Sequence, residues 1–193
     1  MAQRAREAGL VVRGVMGYEG HAVGNPDRSA RAGAVEESMA LLYQALEDVG
    51  GGITSAGATG TYDMHPGTDE VQAGSYLLMD THYEHLALPF GIALSLEATV
   101  VSVSPKGWCV LDCGLKSLGM DHGDPTVPGL SVFFCSDEHT TVLPGDSGEL
   151  PEVGSRLRVL PAHVDPTVAY HETLHVVDGE EVLEALPVDL RGW

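Results

Sequence analysis

His163-Val164-Asp165 lies between Pro161 and Pro166 and reads as an extended segment. Two residues apart on an extended chain, an imidazole and a carboxylate point to the same side and can share one cation. Two protein ligands leave most of the coordination sphere open, which suits a catalytic metal that must admit water or substrate. The same spacing also serves an ordinary surface hydrogen bond. Gly57-Ala58-Thr59-Gly60-Thr61 follows a strand-like run and can cradle a phosphate through its backbone amides and the Thr59 hydroxyl, or be a plain turn. Gly74-Ser75 offers a second such edge. Tyr18-Glu19-Gly20-His21 follows the first strand candidate, the place where βα enzymes carry their chemistry, so Glu19 and His21 are candidate proton-transfer groups; a polar loop is the alternative. Asp112-Cys113-Gly114-Leu115-Lys116 contains one of only two lysines, and Ser136-Asp137-Glu138-His139 reads as a solvated turn.

These residues need elements to position them. Leu10 to Met16 reads as a short buried strand, Asn25-Pro26-Asp27 as a helix start, and Val35, Met39, Leu42, Leu46 and Val49 recur at helical spacing up to Gly50-Gly51-Gly52. Ile53 to Ala56 is the next strand candidate, and Tyr76 to Met79 a strand end or short helix. From about Ile92 the texture changes. Strands are expected over 94–104, 108–111, 130–135, 156–160, 173–177 and 182–186, with Pro105-Lys106-Gly107 and Asp178-Gly179 as hairpin turns. The reading is α/β followed by β, with a boundary near residue 90; two or three βα units are too few to close a (β/α)8 barrel.

At 193 residues and 44% hydrophobic content the chain can bury a sizeable core. Ten basic against 28 acidic residues, a formal charge of −18, set the surface against phosphate backbones and anionic lipid, so neither nucleic acid nor membrane is expected as a partner. Cys109, Cys113 and Cys135 are odd in number and fall in no paired metal spacing, which reads as reduced thiols in a cytoplasmic protein. The apolar run Gly9 to Val12 is too short for a signal segment or a membrane span.

In order along nearly the whole chain, Gly17-Tyr18-Glu19-Gly20-His21, Ala58-Thr59-Gly60-Thr61-Tyr62, Gln72-Ala73-Gly74-Ser75-Tyr76 with Met79-Asp80, Asp112 to Lys116, Asp137-Glu138-His139 and Pro161 to Thr167 form one pattern. It resembles the C-terminal half of the fold-type III pyridoxal-phosphate enzymes of the D-threonine aldolase and D-serine dehydratase group. The resemblance implies an alanine-racemase-like barrel, of which residues 1–90 are the last strands, followed over 91–193 by a C-terminal all-β domain of the D-serine dehydratase kind. It implies pyridoxal 5'-phosphate held by Tyr18, Thr59, Gly60, Gly74 and Ser75, and a divalent metal held by His163 and Asp165 beside the substrate's β-hydroxyl. A dehydratase of the group has Cys where Asp165 stands; the harder His/Asp pair suits manganese or magnesium rather than zinc and looks like the aldolase branch. The base is left among Glu19, His21 and a metal-bound water.

Family members carry a Schiff-base lysine upstream of everything represented here, and neither Lys106 nor Lys116 lies in the matching context, so the chain is expected to be a truncated product or C-terminal fragment lacking its N-terminal half, and to be inactive on its own. The implied activity is metal-assisted cleavage of D-3-hydroxy amino acids to glycine and an aldehyde. β-Elimination from D-serine or D-3-hydroxyaspartate and a silent, metal-binding remnant are the alternatives. The full-length family implies a homodimer and a small D-amino acid as partner.

Overall fold

Asp27 starts the longest helix by accepting hydrogen bonds from the amides of Ser29 and Ala30 at 2.8 and 3.1 Å, relieving two of the donors a helix start leaves unpaired. In the computed structural model, which describes residues 1–189 and 191, this helix is preceded by α1 (Ala2–Glu7) and β1 (Gly14–Met16) and is α2 (Arg28–Val49). It ends at Gly50, whose φ of 88° is the left-handed conformation that closes a helix. Its Val35, Met39 and Leu42 are buried against Ala56, with Val15, Tyr43 and Met64 at the margin.

Strands β2 (Ile53–Ala56) and β3 (Glu70–Val71) complete a three-stranded sheet in the order β1-β2-β3. All its pairings are parallel, Gly14 opposite Ile53 and Ser55 opposite Glu70. Parallel neighbours need a crossover, and α2 is the one between β1 and β2. The sequence placed a strand over Leu10 to Met16; only its last three residues enter the ladder, while Leu10 and Val11 are exposed. Unit 1 of the chain comprises these elements, residues 1–77 with 83–89.

Unit 2 comprises residues 78–82 and those from Phe90 onward. Its sheet contains β4 (Leu96–Ser104), β5 (Trp108–Leu111), β6 (Leu130–Cys135), β7 (Thr140–Pro144) and β8 (Arg156–Val159). They run antiparallel in the order β6-β7-β5-β4-β8 around Ala98, Val100, Leu111, Leu118, Val127, Val142 and Val159. The polar cluster at 136–139 is the turn that feeds β7, a strand the sequence reading lacked. All three cysteines are free; burial pushes the Cys113 thiol up to about 11. Strands β9 (Thr173–Asp178) and β10 (Glu181–Pro187) form a separate antiparallel hairpin.

One expectation fails here. The C-terminal half is not all β, because helix α3 (Val164–Ala169) begins directly after His163. In the sequence Pro166 reads as closing an extended segment. A proline in the first helical turn gives up an amide hydrogen with no intrahelical partner, so it is compatible with the helix, and Asp165 beside it favours the positive end of the helix dipole. Among the described residues no helix is long and apolar enough to cross a membrane.

Candidate functional site

Within unit 1 the two small-residue edges meet. Thr59–Thr61 is a single 3-10 turn after β2, and Ser75–Leu77 is another. The Tyr76 amide donates to the Thr59 hydroxyl oxygen at 3.0 Å, tying the second turn to the first. Gly60 must be glycine at this spot, since a Cβ there would stand 2.0 Å from the Val23 carbonyl oxygen. A Cβ on Gly74, by contrast, would meet nothing within 4 Å. A buried turn thus lies beside an open backbone position, and backbone amides in small-residue turns of this kind can receive a phosphate group such as that of pyridoxal phosphate.

The segment after β1 divides its candidates. Tyr18 is 63% exposed and His21 is exposed, with no hydrogen bond among the described residues. Glu19 is 2% exposed. Its Oε1 accepts the Thr61 hydroxyl and lies 3.0 Å from Nε2 of His65, close but without hydrogen-bond alignment. The other ring nitrogen of His65 faces the Thr61 carbonyl at 2.9 Å. Glu19, one of the three candidates left open for the base, is thus enclosed and hydrogen-bonded to the turn that carries Thr59. Sequence reasoning missed His65, which sits in a polar loop with nothing in its spacing to link it to Glu19.

Within unit 2 His163 is the residue before α3, in an extended conformation (φ −136°, ψ 116°). Its Nδ1 lies 2.8 and 3.0 Å from the two carboxylate oxygens of Asp121. The imidazole of His122 stacks on it with ring centres 3.9 Å apart and planes 13° from parallel, and the His82 ring is tilted against His122 with centres 4.6 Å apart. Burial, followed by the neighbouring His163 and His82, lowers the His122 pKa. Burial works against the Asp121 carboxylate, yet the His163 hydrogen bond and its own backbone keep its pKa below the usual value.

Ligand atoms of Asp121, His122 and His163 come within 4.8 Å of one another. Asp165, the partner expected for His163, is not in that group; it is exposed in the first turn of α3 and its carboxylate accepts no hydrogen bond among the described residues. The same-side argument for an extended chain does not apply to it, because the helix starts between the two. Of the two lysines, Lys116 donates to Glu138 at 2.6 Å and Lys106 occupies the β4–β5 turn. Neither is in unit 1.

Residues 93–177 match the family described as "Putative serine dehydratase domain". All of the chain is 33% identical to 55% of a D-threonine aldolase from Arthrobacter sp, and 95% of it is 31% identical to 52% of a 3-hydroxy-D-aspartate aldolase from Paracoccus denitrificans. The crystal structure of D-threonine aldolase from Filomicrobium marinum superposes with a TM-score of 0.84 at 33% identity, over 95% of this chain and 55% of that one. The chain thus spans about half the length of the curated relatives it matches.

Proposed function

Because the chain belongs to the D-threonine aldolase and D-serine dehydratase-like family of fold-type III pyridoxal-phosphate enzymes, we propose that it carries the phosphate edge and the metal-binding residues of a lyase that cleaves D-3-hydroxy amino acids to glycine and an aldehyde. One observation carries this reading. His163 has its Nδ1 engaged by a carboxylate and its Nε2 without a hydrogen bond, and two residues on stands Asp165, equally uncommitted among the described residues. One nitrogen and one carboxylate donor, with no thiolate, suit manganese or magnesium rather than zinc. His163 and Asp165 would hold that cation, which supplies Lewis acidity to the substrate's β-hydroxyl.

Thr59, Gly60, Gly74 and Ser75 would hold the phosphate of pyridoxal phosphate, with Tyr18 beside them; the bound cofactor supplies an electron sink for the carbanion left when the Cα–Cβ bond breaks. Between the candidate side-chain bases, Glu19 is enclosed while His21 is exposed and free of hydrogen bonds among the described residues. His21 is accordingly the proposed acceptor of the β-hydroxyl proton. The test gives the purified chain pyridoxal phosphate, manganese and D-threonine, first alone and then with a lysine-bearing N-terminal half supplied. Glycine and acetaldehyde are the expected products, whereas a keto acid with ammonia would mean β-elimination of water.

The lysines favour a second reading, in which this chain binds cofactor phosphate and metal but turns over only when a lysine-bearing partner is supplied. Lys116 is tied to Glu138 and unit 1 has no lysine. Borohydride reduction in the presence of pyridoxal phosphate separates the two: a specific reduced adduct on Lys116 would exclude the second reading.

A further inference from the structure

The three ligand atoms gathered at Asp121, His122 and His163 look at first like a single metal centre, but their geometry argues otherwise. An imidazole lone pair lies in the plane of its ring, so two histidines can share one ion only where their planes converge on it, about 2 Å from each nitrogen. The rings of His122 and His163 are 3.9 Å apart and 13° from parallel, so in this arrangement their lone pairs do not meet. Asp121 meanwhile spends both oxygens on Nδ1 of His163, at hydrogen-bond distance. A carboxylate only accepts hydrogen bonds, so Nδ1 carries the proton and, in the neutral ring, Nε2 carries the free lone pair.

The backbone around His163 is held as firmly as its ring. The amide of Val164 donates to Asp80, which is 1% exposed, and Thr167 donates to the His163 carbonyl at 2.7 Å. The His82 amide donates to the Ala162 carbonyl at 3.4 Å, fixing the residue on the other side.

We propose that Asp121 and His122 are positioning residues for His163: the Asp121 carboxylate fixes the proton on Nδ1 and presents a bare Nε2 to a divalent cation, while the stacked His122 ring sets the plane in which that lone pair points. This rests on the reading of His163 as a metal ligand. An orienting carboxylate behind a ligand histidine fixes its tautomer and raises its basicity, and its loss typically weakens metal binding 10- to 100-fold.

The experiment uses two readouts on the whole chain. Two-bond proton–nitrogen correlation spectra report the tautomer of His163 without metal, and calorimetric titration with manganese reports affinity. In the unaltered protein His163 is expected as the Nδ1–H form. Asp121→Ala is expected to move it toward the Nε2–H form and to weaken manganese binding about 10- to 100-fold, and Asp121→Glu to restore most of both. His122→Ala should weaken binding by less and leave the tautomer as it was.

An unchanged tautomer in Asp121→Ala overturns the proposal, and so does manganese affinity equal to the unaltered protein when His163→Ala abolishes it. Complete loss of binding in Asp121→Ala with no rescue by Asp121→Glu also overturns it, by making Asp121 a direct ligand. If the unaltered protein binds no manganese while the tautomer still follows Asp121, the lyase reading of the site fails and the role of Asp121 in setting the ring stands.

Discussion

Glu19 shows how one buried side chain can set a loop. It accepts the Thr61 hydroxyl and faces His65, and it is only 2% exposed. Glu19→Ala would take from the buried Thr61 hydroxyl its closest acceptor, and a buried hydroxyl left unpaired costs about 1–3 kcal/mol, so urea unfolding should show a loss of about that size. Asp69 tests the opposite, exposed case. The backbone amide of Thr54, then its hydroxyl, donate to the Asp69 carboxylate and hold its pKa below the ordinary value. A depressed carboxylate stabilises the fold above its unfolded pKa of about 3.9 and loses that contribution as pH falls through the lower folded value. Asp69→Ala should therefore lower the urea midpoint at neutral pH, with the gap to the unaltered protein closing toward about pH 2. A gap that is the same at both would show that the hydrogen bonds do not depend on the charge. At this scale the sequence is legible where function leaves a local mark. Thr59 and Gly74-Ser75 stand out by their small neighbours, and His163 with Asp165 by spacing. His65 and Asp121 leave no such mark, because what makes them matter is a partner brought near only by the fold.

Elements built from local rules were readable, and those decided by tertiary context were not. Helix α2 announces itself by the Asp27 cap, a periodic apolar face and a glycine stop, all within its own span. Removing the cap in Asp27→Ala should cost about 0.5–2 kcal/mol, read as a lower urea midpoint; substitution by Ser or Asn should recover most of it. Strand β7 is different: Thr140–Pro144 is short, follows four polar residues and ends in proline, and it is a strand because β5 and β6 flank it on both sides. Helix α3 is hidden for a related reason, since a proline in the first turn looks the same in sequence as one that ends an extended run. The consequence reaches the site, because Asp165 stands in the first turn of a helix and not in an extended run with His163.

For the molecule as a whole the most telling surface is the β9–β10 hairpin. Two strands alone are marginal in water, yet this pair leaves Val176, Val177, Val182, Leu183 and Leu186 between 41% and 59% exposed. Such a surface is expected to be covered by another chain, and a second copy is the proposed cover. A charge of −18 opposes that association, so salt should favour it by screening. Sedimentation should give a mass above 20.3 kDa that rises with salt, and Leu183→Asp with Val177→Asp should return it to the monomer. A monomer at every salt concentration would contradict this.

The path of the backbone between the two units bears on how such a protein can be modified by exchange of parts. The chain passes from unit 1 to unit 2 between 77 and 78, back between 82 and 83, and over again between 89 and 90. The pentapeptide Leu78 to His82 includes the carboxylate that anchors Val164 and the imidazole beside His122. A splice made at residue 90, where the composition changes, would graft the sheet and leave these two side chains behind with the donor. Shuffling this region among homologues therefore has to carry the pentapeptide along with the sheet, as a discontinuous cassette, for the recipient to inherit the whole setting of His163.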